Sequence, residues 1–457
     1  MNDTKIHSIK PKTGCEGPKV FIETYGCQMN VNDSEVVLSI LQDAGYSLCE
    51  SISEADLILV NTCSIRDNAE QRVLGRLDVF RLEKKKRKVL VGVLGCMAER
   101  MKGQLLEHEV VDIVAGPDSY RDLPRLVAAA LEGEKQMNVE LSREETYADI
   151  SPVRMDANGV SAYISIMRGC NNVCSYCIVP YVRGAERSRD PHSIIREAKC
   201  LIANGYKEIN LLGQNVDSYK WVNPEKPAET VDFARLLEMV ALLDPTVRIR
   251  FATSHPKDMS DAVLYTMAMY DNICKHIHLP VQSGSTPMLI KMNRHYTRET
   301  YLQRIAKIRE ILPECAITTD VIAGFSGETE EDHRQTISLF NEVNFDSAFM
   351  FQYSERPGTK ASRHYPDDIP TEVKTERLEE IITLQTEIAL DRNTRYIGRV
   401  CEVLVEGTSK RSEEDLVGRT STNKTCVFPG RGHKAGEYVN VRILSCSSAT
   451  LKAEIVD

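Results

Sequence analysis

Very little of this chain is aromatic: one tryptophan in 457 residues, with Phe, Trp and Tyr at 6% together. Long apolar runs are missing as well, and none approaches the ~18 residues that a membrane span requires. The opening "MNDTKIHSIKPKTGCEG" lacks the apolar stretch of a secretory signal, so the expectation is a cytoplasmic protein with no membrane partner. Excess positive charge is absent too. Lys and Arg number 57 against 66 Asp and Glu, a net charge of −9, which argues against indiscriminate coating of nucleic acid. A local basic patch stays open to such a chain. "KKKRK" (Lys84 to Lys88) and "RGAERSR" (Arg183 to Arg189) are the candidates, and a solvated face is the plainer reading of either. There is no fixed-period repeat and no low-complexity tract. What is present is ordinary for a soluble protein of two to four domains, 42% apolar and 27% charged. Fourteen cysteines are not ordinary. In a reducing compartment they serve metal binding, catalysis or burial rather than disulfides.

The hydrophobic pattern predicts an α/β chain in several parts. Over residues 18–134, "KVFIET", "ADLILVNT", "KVLVGVLG" and "VDIVAG" read as strands between helices such as "NDSEVVLSILQDAG". Apolar strands of this kind imply a parallel sheet covered on both faces. Residues 135–157 are polar and aperiodic and are expected to be a linker. Over 158–391 six strands follow, "AYISIMR", "EINLLG", "VRIRFAT", "KHIHLPV", "AITTDVIAGF" and "FDSAFMFQYS", alternating with helical stretches. Six successive βα units point to a partial (βα)6 barrel, with a full barrel or an open sheet as alternatives. A long helix, "TEVKTERLEEIITLQTEIALDRNTR", closes that section. From residue 392 to 457 short alternating strands with Gly-rich turns predict a small β-barrel. It is mildly basic, with 11 Lys and Arg against 8 Asp and Glu.

"SIMRGCNNVCSYCIVPY" places Cys170, Cys174 and Cys177 as C-x3-C-x2-C directly after the first barrel strand. Structural zinc prefers four ligands in two separated pairs. Three thiolates in one loop with no near fourth ligand suit a [4Fe-4S] cluster with one open iron. The motif and its place at a barrel strand end resemble the radical-SAM superfamily. That resemblance implies S-adenosyl-L-methionine chelated at the open iron and cleaved reductively to a 5′-deoxyadenosyl radical. It further implies that Tyr176 meets the adenine, and that Gly213, Gln214 and Asn215 of "LLGQN" hold the methionine end. Loop packing and an ordinary turn are the plainer readings of those four residues. "DVIAGFSGETEED" resembles a family segment in which proline is usual where this chain has Ser326, so Ser326 receives no role. His255 in "TSHP" and His278 in "HIHLPV" read as structural histidines. For Cys15, Cys49, Cys200, Cys274, Cys315, Cys401, Cys426 and Cys446 burial is expected.

Three N-terminal strands end in "ETYGC", "LVNTC" and "GVLGC", giving Cys27, Cys63 and Cys96. Parallel strands deliver their C-termini to one edge, where ligands bind. Three cysteines at equivalent places therefore read as a metal site rather than as separate buried thiols. A domain of this kind before a radical-SAM barrel and a small β-barrel resembles the radical-SAM methylthiotransferases. The likeness runs from about Lys19 to Asp457. "TYGCQMN", "NTCSIR", "CIVPYVRG", "LLGQNV", "TSHP", "HLPVQSGS" and "VEGTSKRS" resemble the members that act on tRNA. The resemblance implies a second [4Fe-4S] cluster on the N-terminal trio and an RNA-binding TRAM domain at 392–457. It implies methylthio addition to C2 of N6-isopentenyladenosine next to the anticodon, in a single-stranded loop of the anticodon stem-loop. One S-adenosylmethionine would supply the methyl and a second the radical that takes the C2 hydrogen. An external low-potential electron donor such as flavodoxin or ferredoxin is implied with them. The alternatives are methylthiolation of a threonylcarbamoyl adenosine or of a ribosomal-protein aspartate, which "NTCSIR" and "VEGTSKRS" disfavour. A non-enzymatic protein that binds zinc and RNA is the alternative from another class.

Overall fold

The computed structural model describes residues 17–64, 67–155 and 159–456. The expectations for the extreme N-terminus, for Cys15, for Ile65 and Arg66, and for positions 156–158 lie outside the described residues. The chain divides into two compact units. One takes in the described residues up to 155 with Tyr163–Asn171 and Ile178–Glu197; the other holds the described residues 159–162, Asn172–Cys177 and everything from Ala198 onward.

The first unit is built on a parallel sheet. Strands Lys19–Tyr25, Leu57–Thr62, Leu90–Gly95 and Ile113–Ala115 occur where apolar runs predict them. Two short edge strands, Ser47–Leu48 and Gln136–Asn138, extend the sheet to six. Alternation along a strand sends neighbours to opposite faces. Leu57 and Leu59 accordingly pack with Val37, Leu38 and Leu41 of helix Gln28–Asp43. Ile58 and Val60 pack on the other side with Val73, Leu77 and Phe80 of helix Asp67–Lys86.

The polar stretch expected as a linker is largely folded into this unit. Gln136–Asn138 pairs in parallel with Ile113–Ala115, and Tyr147 and Met155 are buried in the sheet core. Its charged residues are held by ion pairs, Arg121 meeting both Glu145 and Asp149. A segment without hydrophobic periodicity is thus ordered by a backbone ladder and two buried side chains.

The second unit carries the expected βα strands. Glu208–Leu212 and Arg248–Ala252 are paired in parallel, with Ser161–Ser165 as their outer neighbour where the chain leaves this unit for the first. His276–His278, Ala316–Ala323 and Ser347–Gln352 form a second parallel group. A bridge between Ile249 and Ile273 and the bond from Ser254 N–H to the His278 carbonyl (3.2 Å) join the two groups into an open barrel wall. Helix Thr371–Thr394 follows. Val400–Ser409, Ser412–Thr420, Thr425–Pro429, Leu451–Ile455 and Tyr438–Cys446 then close into a five-stranded barrel, as the alternating pattern predicts. No described helix is long and apolar enough to cross a membrane.

Candidate functional site

The trio at the N-terminal sheet edge is assembled by strand register. Tyr25 stands opposite Thr62, and Thr62 opposite Gly95. The next residues of the central strands, Cys63 and Cys96, therefore leave the sheet side by side, and Cys27 follows one residue later. Cys63 N–H also donates to the Tyr25 carbonyl (3.1 Å). Both neighbouring glycines are required by geometry. Gly26 sits at φ +130° and Gly95 at φ +87°. A Cβ on Gly26 would stand 2.5 Å from the Cys63 Cβ, and one on Gly95 would stand 2.3 Å from Asn61 Oδ1. No other residue type allows this approach.

Beneath the sulfurs lies a buried polar floor. Asn30 Oδ1 accepts the Cys27 N–H (3.3 Å), and Asn61 Nδ2 donates to the Asn30 carbonyl and to Ser34 Oγ, both at 3.0 Å. Cys27 is the N-cap of helix Gln28–Asp43, where backbone N–H groups favour negative charge. A hydrogen bond from Cys63 pulls the Cys27 thiol down to about 6, with Arg183 adding to the effect; burial pushes the Cys96 thiol up. Arg183 Nε donates to Cys96 Sγ at 3.3 Å. Arg183 thus meets Cys96 and acts on Cys27, which Cys63 in turn meets.

"RGAERSR" is consequently no solvated patch. Arg183, Arg187 and Arg189 are 3%, 7% and 5% exposed. Arg183 Nη2 bonds Asp33 Oδ2 (2.7 Å), Arg168 Nη1 bonds Asp33 Oδ1 (2.8 Å) and Arg187 Nη2 bonds Asp118 Oδ1 (2.9 Å). Burial alone would raise the Asp33 carboxyl, but Arg168 and Arg183 hold it below the usual range. "KKKRK" is also partly consumed in the fold. Lys84 pairs with Asp112 (2.6 Å), and the Arg87 guanidinium donates to the carbonyls of Ala55 and Ile52.

The C-x3-C-x2-C loop is divided between the units. In the first, Cys170 N–H donates to the Gly184 carbonyl (3.2 Å). In the second, Cys174 and Cys177 lie on a turn closed by the bond from Cys177 N–H to the Cys174 carbonyl (3.0 Å). That turn is fastened at Ser175, whose N–H donates to the Met292 carbonyl (2.9 Å) and whose carbonyl accepts from Ala361 N–H (2.7 Å). Arg294, also buried, donates from Nη1 to Cys174 Sγ (3.3 Å) and to the Tyr176 hydroxyl (3.4 Å). Tyr176 packs edge-on to Phe325 at 6.4 Å, among Met288, Met292 and Tyr353. Its packing role is therefore real, and its ring borders the cysteine turn.

Gly213, Gln214 and Asn215 end the strand Glu208–Leu212. Asn215 Nδ2 donates to Asp258 Oδ2 (2.7 Å), which also accepts from Asn172 Nδ2 (3.0 Å) beside the cysteine turn. Gln214 Oε1 and Asn215 Oδ1 are buried acceptors without a protein partner. His255 is buried, and its Nδ1 accepts from Lys257 N–H (3.2 Å), which leaves the proton on Nε2. That Nε2 has no protein partner either. Burial, assisted by Arg294 and Lys257, lowers this imidazole to about 2, so it stays neutral. The Asp217 carboxyl, which accepts from the His255 backbone N–H (3.2 Å), is raised by burial to about 7.

Comparison with known proteins assigns these parts. Residues 19–116 match the uncharacterized protein family UPF0004, residues 164–340 the radical SAM superfamily and residues 394–456 the TRAM domain. The chain is 56% identical over 457 residues to the tRNA-2-methylthio-N(6)-dimethylallyladenosine synthase of Bacteroides fragilis strain ATCC 25285, with 100% of both chains covered. It is 57% identical over 458 residues to the enzyme of that name in Bacteroides thetaiotaomicron, again over 100% of both. The chain belongs to this synthase family. Among solved structures, the radical S-adenosylmethionine methyltransferase TsrM from Kitasatospora setae shares the fold, with a TM-score of 0.55 and 15% identity over 74% of this chain and 75% of that one.

For a radical-SAM family member the donor set is chemically apt. Among the described residues no three Cys, His, Asp or Glu side chains converge as ligands of a single ion do. A four-iron cluster asks for something else, since each thiolate takes its own iron. Each cysteine group also has a buried arginine donating to one of its sulfurs, which suits an anionic thiolate centre. The open acceptors on Gln214 and Asn215 and the open Nε2 donor on His255 match the ammonium and carboxylate of an amino acid end. Sequence reading left His255 and Arg294 out of the site and took Arg183 only as part of a basic run. "TSHP" gave a weak cue for His255, but nothing local ties either arginine to a cysteine. His278 behaves as expected, bonded to Thr318 Oγ1 (3.0 Å) and close to Asp320. Among the other cysteines Cys49, Cys274, Cys315 and Cys426 are buried, Cys401 and Cys446 half-buried. Cys200 corrects the expectation: it lies exposed, on helix Pro191–Ala203.

Proposed function

We propose that this protein adds a methylthio group to C2 of N6-isopentenyladenosine next to the anticodon of tRNA. The carrying observation is full-length identity of 56% to synthases of that product, with both cysteine trios on strand ends. Cys170, Cys174 and Cys177 hold one [4Fe-4S] cluster, and Cys27, Cys63 and Cys96 hold a second. Bound there, the clusters supply an electron for cleaving S-adenosyl-L-methionine and a site for the sulfur to be transferred.

The chain's own groups do the placing. Gln214 and Asn215 accept from the ammonium of S-adenosylmethionine, with Gly213 making room at the strand end. Neutral His255 donates from Nε2 to its carboxylate, and Tyr176 lines the adenine. Asp258 fixes the Asn215 amide in its working orientation through the 2.7 Å bond, and Asn172 shares that carboxylate. Arg294 holds the Cys174 sulfur and the Tyr176 ring together. The C-terminal barrel grips the anticodon stem-loop, where a splayed base is within an enzyme's reach. The electron comes from an external low-potential donor of the flavodoxin or ferredoxin type, and the setting is the cytoplasm. Mass spectrometry of tRNA nucleosides from a deletion strain tests the assignment. Disappearance of the methylthio-dimethylallyl nucleoside, restored by the plasmid-borne gene, is expected; an unchanged nucleoside profile would refute it.

A further inference from the structure

The charges buried under the N-terminal trio do not cancel. Three guanidiniums, Arg168, Arg183 and Arg187, face two carboxylates, Asp33 and Asp118. Arg168 Nε lies a further 3.4 Å from Asp118, so both carboxylates are shared. Tyr120, whose hydroxyl donates to Asp33 Oδ2 (3.4 Å), adds no charge. One positive charge is left over in a buried place, where two guanidinium nitrogens lack a hydrogen bond: Arg168 Nε, which faces Asp118, and Arg183 Nη1, which faces no carboxylate. Arg183 uses Nη2 on Asp33 and Nε on Cys96 Sγ, while Nη1 is buried with no protein partner. A buried donor left unmade forfeits the hydrogen bond it made to water, and a charged one forfeits more. Arg294 at the other cysteine group shows the contrast. Its Nε bonds the Tyr296 hydroxyl (2.9 Å), Nη1 the Cys174 sulfur and Nη2 the Pro280 carbonyl (2.8 Å), so every nitrogen is spent within the protein.

What would answer the open Nη1 must be anionic, must lie among three cysteine sulfurs, and must accept a hydrogen bond. A cluster held by three thiolates is a net anion with sulfurs on its surface. We propose that Arg183 is a positioning and charge-compensating residue for the group that Cys27, Cys63 and Cys96 hold. Its Nη1 donates to a sulfur of that group, and its unpaired charge raises the group's reduction potential. This rests on the reading that the trio carries a [4Fe-4S] cluster. Hydrogen bonds to cluster sulfurs and nearby charge are the protein's levers on such potentials.

The test uses the full chain with Cys170, Cys174 and Cys177 changed to alanine, reconstituted anaerobically with iron and sulfide. About four irons per chain are expected in that background; none would overturn the cluster reading itself, before Arg183 is touched. Into it go Arg183→Met and Asp33→Asn, each followed by a redox titration read by electron paramagnetic resonance. Arg183→Met is expected to keep its iron and to lower the reduced-to-oxidised ratio at a fixed potential about tenfold, about 59 mV for one electron. Asp33→Asn removes the opposing charge and is expected to move the potential upward. Opposite signs distinguish electrostatics from loosening, which would move both variants alike and would overturn the proposal. An unchanged potential in iron-loaded Arg183→Met overturns it as well, leaving the cluster reading intact. Should Arg183→Met fail to fold, Arg183→Lys keeps the charge but loses the Nη1 donor. A smaller downward shift is then expected, and no shift is the refuting result.

Discussion

At the scale of single residues, the N-terminal site depends on what is missing from two side chains as much as on three sulfurs. Gly95 is the stricter case, because it combines φ +87° with an approach to both the Asn61 side chain and the Thr62 carbonyl. Gly95→Ala must either bend the strand or push Asn61 off its bonds to Asn30 and Ser34. Backbone strain of this kind costs about 1–3 kcal/mol. A lower urea midpoint is therefore expected, together with loss of the iron that the proposed function assigns to the trio; a variant with wild-type stability and full iron content would show that the close approach is not needed.

At the scale of elements, the C-terminal barrel is joined to the strand Arg248–Ala252 by two buried arginines. Arg248 Nη1 donates to the Arg419 carbonyl (2.6 Å), and Arg250 Nη2 to the Thr420 carbonyl (2.7 Å). Arg250 also neutralises Glu208 through Nε (2.6 Å). Arg250→Met would leave the buried Glu208 carboxylate without its ion-pair partner and take the Arg250 Nη1 donor (3.2 Å) from the Ser421 carbonyl, which costs about 3–5 kcal/mol. A lower melting temperature is expected, with the first proteolytic cuts falling within 394–456. How legible such features are in a sequence depends on range. The long strands could be read because apolar runs such as "LILV" need no partner to be recognised. Ser47–Leu48 and Gln136–Asn138 could not, since segments of two or three residues with a single apolar side chain each show no period and are aligned by pairing with the neighbouring strand. The arginines of "RGAERSR" misled for a related reason. Asp33 lies 150 residues from Arg183 and Asp118 lies 69 from Arg187, so the sequence near these two arginines contains no sign of the carboxylates they meet. The cysteines were legible because both groups sit at strand ends, whose positions the apolar pattern locates.

At the scale of the whole molecule, two cysteine groups imply two separable defects. Cys170→Ala is expected to abolish formation of 5′-deoxyadenosine from S-adenosylmethionine. Cys27→Ala is expected to leave that formation detectable while removing methylthiolated product, both read by chromatography of anaerobic reactions. Full product from Cys27→Ala would remove the N-terminal trio from the reaction. The alignment of Tyr25, Thr62 and Gly95 has a consequence for maturation as well. The C-x3-C-x2-C loop exists in any conformation of the chain, so a scaffold protein could load it on a nascent, unfolded polypeptide. The N-terminal trio spans 36 and 33 residues and exists only after three parallel strands have found their register. Parallel pairing is slow, because loop closure precedes any reward. On the proposed assignment of a cluster to this trio, its loading is obliged to follow folding, and a chain whose sheet is out of register never acquires that group.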